Sequence, residues 1–311
     1  MKVFITGATG FVTGNVARRL IARGDEVRAL VRDPARARGL AGAQPVQGDL
    51  ASADALRVGM DGVDAVIHGA AMYEVGLNRR QRADMLEANV RGTAHVLSAA
   101  KAAGIPRVVY ISTIAVFGNT HGQVVDESFR RTDQSYTSYY EETKLRAHEV
   151  ADQFSAEGLP IIIVQPGQVY GPGDHSGFGG LMAAFARGRL PVQPFPELGL
   201  NLTYVDDIAS GIVLALDGGA PGRSYVMGGE IVRAADAFAT LGRVVGRSAP
   251  RWNLPYALLE LGALVQPSLR EVISSAKGVT FWAKDDRARA ELGYSPRALE
   301  VGLRETYAKR T

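Results

Sequence analysis

Lys2-Val3-Phe4-Ile5-Thr6-Gly7-Ala8-Thr9-Gly10-Phe11 opens the chain with an apolar run, a glycine pair and the approach to a helix. The run reads as a buried strand, and Asn15 to Arg23 as an amphipathic helix ending at Gly24. Glycines between a strand and a helix let the backbone turn tightly and approach a pyrophosphate, whose charge meets the helix N-terminus. The spacing is G-x-x-G, not G-x-G-x-x-G. A third glycine is expected at position 13 for close helix–strand packing, but Thr13 stands there, with Gly14 next. Two outcomes stay open: the helix sits further out, or it tolerates the methyl and caps with the hydroxyl.

The pattern repeats outward from this unit. Val27 to Val31, Ala65 to His68, Val108 to Ile111 and Ile161 to Val164 read as strands, with helical stretches at Met85 to Ala103 and Tyr139 to Glu157. Apolar strands alternating with helices imply an α/β, Rossmann-type doubly wound parallel sheet, covered on both faces. After Pro166 the texture changes. Glycine and proline crowd positions 166–200, a strand and helix follow at 201–217, and Ala234 to Thr311 reads as helices and loops. The expected organisation is a dinucleotide-binding domain at 1–165 and a smaller C-terminal substrate-binding lobe at 166–311, with 201–217 returning to the first part.

Composition excludes several classes. The 311 residues are 46% hydrophobic and 22% charged, with a net charge of +3, an ordinary globular balance. No cysteine is present, which excludes disulfides, thiolate catalysis and zinc–thiolate sites and suits a reducing compartment. The N-terminal apolar run is too short for a signal peptide, and no stretch approaches the roughly 18 apolar residues of a span. A cytoplasmic protein with no membrane partner is expected. The arginine-rich spots, Arg32 to Arg38 and Arg79 to Arg82, read as solvated faces (Arg32 excepted) and form no basic stripe for nucleic acid. The five histidines show no metal-ligand spacing, so no metal is expected.

Two further features carry chemistry. NAD-binding folds place an acidic residue at the end of the second strand, to hold the ribose hydroxyls. Here that place falls on Val31, and Arg32 follows, whose guanidinium suits the 2′-phosphate of NADP; NAD remains possible. Tyr140 and Lys144 stand four apart on one helical face, where an ammonium lowers a phenol's pKa towards working pH. Tyr139 reads as packing. Ser112 and Thr113 follow the strand 108–111, and a hydroxyl there can hold a carbonyl oxygen while Tyr140 delivers the proton. Asp206 and Asp207 read as caps of a helix beginning at Ile208, and Tyr73, Phe178, Tyr204 and Trp282 as candidates for a pocket wall.

With these residues in hand, the chain resembles the extended short-chain dehydrogenase/reductase family, also called NAD-dependent epimerase/dehydratase. The match runs over nearly the whole chain, through Thr6 to Phe11, Gly48-Asp49-Leu50, His68 to Ala71, Asn89 to Thr93, Ser112-Thr113, Tyr140 to Lys144, Pro166 to Gly173 and Val205-Asp206-Asp207. The resemblance implies a cofactor held by Gly7, Thr9, Gly10, Phe11 and Val12, with Asp49 and Leu50 at the adenine. It places Ala70, Ala71, Asn89 and Ile111 along the cofactor, with His68 bordering it, and Pro166, Gly167 and Val169 beside the nicotinamide. Thr113, Tyr140 and Lys144 take the catalytic positions. Leu200 stands where sugar-nucleotide enzymes carry an arginine, and Gln165 replaces another, so Gly199-Leu200-Asn201-Leu202 looks like the dihydroflavonol reductase-like and hydroxysteroid dehydrogenase-like branch. The implied activity is NADPH-dependent reduction of a small-molecule ketone or aldehyde. The rivals are a sugar epimerase or dehydratase and a non-catalytic NADP sensor. A homodimer through the helices around 89–103 and 139–157 is implied as well.

Overall fold

Val3, Phe4 and Ile5 have no exposed surface, which a strand covered on both faces requires. The computed structural model describes residues 1–133, 135–250 and 252–308, so the last three residues of the expected lobe lie outside it. Its first half runs β1 (Lys2–Thr6), α1 (Phe11–Arg23), β2 (Glu26–Val31), β3 (Ala43–Gln47), α2 (Ala53–Met60), β4 (Ala65–His68), α3 (Arg79–Leu86), α4 (Gly92–Ala102), β5 (Val108–Ile111), α5 (Tyr139–Ala156) and β6 (Ile161–Pro166). The helix expected over 85–103 is two helices, joined by a wide π-turn at Glu87–Arg91.

The second half contains β7 (Gln168–Tyr170), α6 (Gly177–Ala186), β8 (Val192–Gln193), β9 (Gly199–Tyr204), α7 (Val205–Gly218), β10 (Ser224–Met227) and β11 (Glu230–Arg233). It ends with α8 (Ala234–Val245), β12 (Trp252–Asn253), α9 (Tyr256–Val265), α10 (Ser268–Ser274), α11 (Asp286–Leu292) and α12 (Leu299–Tyr307).

Seven strands form one sheet in the order β10-β6-β5-β4-β1-β2-β3, and every pairing is parallel. The order reverses between β1 and β4, where such a sheet opens a crevice at its C-terminal edge. One face packs on α1, α7 and α11 through residues such as Val16, Leu20, Ile208 and Ile212; the other packs on α2, α4 and α5 through Leu56, Leu97 and Ala147. The chain therefore returns to the sheet over 205–227, further than the expected 201–217, and supplies an edge strand. Residues 201–204 belong instead to β9 of a second sheet, β11-β9-β7, over which α6, α8 and α12 close a separate core around Phe185, Phe238 and Leu303.

Asp206 and Asp207 are not caps of a helix starting at 208. Helix α7 begins at Val205, and both carboxylates instead meet Arg297, at 3.5 and 2.8 Å, while Asp206 also pairs with Arg19 at 2.7 Å. Asp206 ties α7 to α1 of the first half, and both carboxylates hold the stretch before α12.

Candidate active site

Between β1 and α1 the chain turns through Gly7 at φ +77°, where a Cβ would lie 2.8 Å from the Ala70 backbone. Only glycine lets the loops after β1 and β4 meet this closely. Gly10 caps α1 with its backbone alone; no capping side chain and no acidic residue occupies the first turn. The amides of Phe11 and Val12 stay open to an anion, and the helix dipole favours one there. Thr13 decides between the two outcomes left open above. Its hydroxyl donates to the Gly7 carbonyl, and its methyl fits because residue 69 is glycine, where a Cβ would lie 2.4 Å from that methyl.

A cleft of about 1680 Å³ runs along the C-terminal edge of the sheet. On the β2–β3 side it is lined by Arg32, Asp49 and Leu50, and at the centre by Gly7, Thr9, Gly10, Phe11, Val12, Ala70 and Ala71. On the β5–β6 side stand Ile111, Thr113, Tyr140, Lys144, Pro166, Gly167 and Val169. Arg32 is exposed at the end of β2. The neighbouring Asp33 stays outside the cleft wall and accepts from Ala35 N at 2.9 Å, capping the turn that follows. The Ser52 hydroxyl, donating at 2.6 Å, and the Ala51 amide hold the Asp49 carboxyl below the usual carboxylate range.

Two expected cofactor contacts do not line this cleft. Asn89 is buried; its Oδ1 accepts from Met72 N at 2.7 Å, and its Nδ2 donates to Met72 O and Thr143 Oγ1, both at 3.0 Å. It pins the loop after β4 to α5. His68 lies fully buried between the hydroxyls of Thr6 and Thr93, at 2.7 and 2.9 Å. Burial, with the Lys144 ammonium nearby, pushes its imidazole down to about 3, so it stays neutral. Of the expected pocket aromatics, Tyr73 and Phe178 line the cleft, whereas Tyr204 and Trp282 do not.

Tyr140 and Thr113 face each other across the floor. Tyr140 is half-buried, with the edge of the Tyr73 ring against it at 4.7 Å. Protein atoms crowd its phenol enough that burial, followed by Tyr73, raises its pKa, while the Thr113 hydroxyl pulls the other way. Thr113 Oγ1 accepts from Ala115 N at 3.2 Å, which leaves its own proton free to donate. Lys144 is buried, donating to the Ile111 carbonyl at 3.0 Å and to the Tyr110 hydroxyl at 3.5 Å. Burial pushes it down to about 8. The expected lowering of the phenol by Lys144 is not seen here: burial raises it, and Lys144 is not among the groups that shift it.

Residues 3–228 match the model of the NAD dependent epimerase/dehydratase family. The chain belongs to this family. It is 31% identical, over 96% of its length and 92% of the relative's, to the 4-hydroxy-2-methyl-3-oxo-4-farnesyl-3,4-dihydroquinoline-1-oxide ketoreductase of Stigmatella aurantiaca. The crystal structure of gox2253 superposes with a TM-score of 0.85 at 32% identity, covering 98% of this chain and 96% of that one. MoeE5, solved with UDP-glucuronic acid and NAD, matches at a TM-score of 0.79 and 25% identity, over 99% and 98% of the two chains. This epimerase/dehydratase-family chain is therefore an enzyme with a nicotinamide-dinucleotide cofactor, and its own residues fit one. The uncapped start of α1 and the glycine turn suit a pyrophosphate, and Asp49 and Leu50 stand where β3 leads into α2.

Three groups near the site, His148, Asp152 and Glu271, are not marked by the family motifs. Ser112, on the cleft wall, bonds His148 Nδ1 at 2.8 Å, and the other ring nitrogen lies 3.6 Å from Asp152. Tyr140, Lys144, His148 and Asp152 recur every fourth residue along α5, a ladder that the sequence does display. Glu271 comes from far along the chain. Its carboxylate accepts from Tyr139 N at 2.6 Å, Gly76 N at 3.2 Å and Arg82 at 2.9 Å, binding α10 to the start of the helix that carries Tyr140. Tyr139 also packs under the Arg82 guanidinium, 5.1 Å from the ring centre.

Proposed function

We propose that this enzyme uses NADPH to reduce a bulky, apolar ketone or aldehyde. One observation carries the reading: Tyr140 and Thr113 stand at the floor of a cleft whose lobe side is mainly apolar, with Asp174 and His175 as its ionisable groups and, among the described residues, no lysine or arginine. Phe178, Leu181, Phe195, Leu198, Leu259 and Val272 contribute to that wall, and Leu200, where a diphosphate would need a cation, is among them. The Stigmatella relative's name, a ketoreductase of a farnesylated quinoline oxide, agrees with a large apolar ketone. NADP rather than NAD is favoured by Arg32 at the end of β2, with Asp33 engaged elsewhere.

The raised phenol keeps its proton at neutral pH, so Tyr140 is a donor and not a phenolate when substrate arrives. Thr113 donates its free O–H to the same carbonyl oxygen and sets its angle. A bound reduced nicotinamide supplies the hydride. Once Tyr140 has given its proton, the Lys144 cation one helical turn below stabilises the phenolate left behind. Burial by the lobe excludes water and strengthens these interactions.

The test is NADPH oxidation, followed at its absorbance band, against ketones and aldehydes graded in apolar bulk, with NADH run alongside. Steady oxidation that rises with bulk supports the reading. Tight NADPH binding with no net oxidation across the panel would overturn it in favour of an epimerase that returns its hydride.

A further inference from the structure

Five large apolar side chains crowd one short surface stretch. Trp252, Leu258, Leu261, Leu264 and Val265 keep 75%, 58%, 62%, 69% and 90% of their surface in solvent. Exposed apolar residues scattered singly are ordinary, but a contiguous row marks a surface that something covers. Helix α9 places Leu258, Leu261, Leu264 and Val265 three and four residues apart, on one face. Its inner side is apolar too: Leu259 lines the cleft and Ala263 is buried. Glu260 apart, the helix is apolar on both sides, which is out of place against water.

The charges around it select the occupant. Both carboxylates of the α9–α10 stretch are neutralised, Glu260 by Lys277 at 2.6 Å and Glu271 by Arg82 at 2.9 Å. Arg82 brings the exposed arginines of α3, Arg79 and Arg80, to the flank of α10, which adds the exposed Arg270. Among the described residues these three arginines enter no ion pair. We propose that α9, flanked by Arg79, Arg80 and Arg270, docks the enzyme on an anionic phospholipid bilayer surface.

Leucines entering the headgroup boundary beside cations that meet lipid phosphates is the arrangement of a peripheral membrane helix. A second copy of the chain fits worse. A self-contact would leave the flanking arginines without an anionic partner, which lipid phosphates supply. None of the described helices is long and apolar enough to cross a membrane. The sequence expectation of no membrane partner weighed only spanning segments, and docking needs none. Docking stands apart from the reductase reading; only its use does rest on that reading, since Leu259 would put an apolar substrate's entrance against the lipid in which it dissolves.

The experiment is flotation of the full chain with extruded vesicles of phosphatidylcholine, with and without one third phosphatidylglycerol, at physiological salt. The chain floats with the anionic vesicles. Arg79→Glu with Arg80→Glu weakens that binding by at least about fivefold per arginine, and Leu258→Ser, Leu261→Ser and Leu264→Ser together abolish it. NADPH binding of each variant reports that it is folded. Should the serine variant fail to fold, Trp282→Phe leaves Trp252 as the sole tryptophan, and its emission shifts to the blue on the anionic vesicles. Three results would overturn the proposal: wild type left unfloated with unshifted Trp252 emission, serine variants that float as well as wild type, or a dimer in sedimentation that those serines dissolve without vesicle binding. None of these outcomes depends on whether any ketone is reduced.

Discussion

Replacing Lys144 by methionine should make the protein more stable at neutral pH while stopping its chemistry. The ammonium is buried, and its ordinary value of 10.5 is pushed down to about 8. Keeping that charge at pH 7 costs the folded state about 3 kcal/mol. Methionine removes the charge with little change of volume. It also removes the donor to the Ile111 carbonyl at 3.0 Å, a loss of about 1–2 kcal/mol. The net gain is about 1–2 kcal/mol, or a few degrees in Tm. The pH dependence gives the sharper check. Because the folded value lies below the unfolded one, the penalty is complete below pH 8 and is relieved as pH rises from about 8 to 10.5. Wild type therefore closes on the variant across that window. Urea unfolding of both proteins from pH 7 to pH 10 reads this directly. A variant less stable than wild type at pH 7, or an advantage that does not change with pH, would refute the burial argument.

Tyr140→Phe removes the proton donor and should lower NADPH-dependent turnover by about 10²–10⁴-fold, with NADPH affinity by fluorescence titration nearly intact; unchanged turnover removes Tyr140 from its role. Arg32→Ala should weaken NADPH binding by about 10- to 150-fold and NADH binding far less, and calorimetry showing equal losses would end the 2′-phosphate assignment. Gly69→Ala forces a Cβ to 2.4 Å from the Thr13 methyl and 2.9 Å from Ile111 Cδ1, a strain of about 1–3 kcal/mol. Adding Thr13→Gly should recover most of it, and strictly additive losses in unfolding would show that the two positions do not meet.

Much of the fold could be read because its strands are apolar on both faces and punctuated by glycine. The exceptions have physical causes. β3 is an edge strand that carries Pro45 and exposes Gln44 and Gln47, so it lacks the apolar signature of its neighbours. β10 has four residues and sits among lobe segments, and only pairing with β6 makes it part of the main sheet. Helix α1 starts four residues before the expected Asn15, because the phosphate turn is itself its first turn. At the site, residues just past strand ends were legible because chain order alone carries them to the cleft. Asn89 shows what a motif leaves unsaid: the residue is there, and its amide holds the Met72 backbone from outside the cleft wall. Glu271 left no local signal, since its three donors lie 132 to 195 residues away.

The chain crosses between the sheet and the lobe five times, after β6, after β9, after β10 and on either side of α11, and the strands at the first three crossings lie side by side as β11-β9-β7. A lobe hung on one peptide could swing; one joined through a hydrogen-bonded ribbon is held like a bracket. It also cannot be exchanged as a cassette, because lifting it out means cutting and rejoining the backbone at five places at once. New substrate preferences in this architecture are therefore more accessible to single replacements along the cleft wall than to recombination of whole lobes.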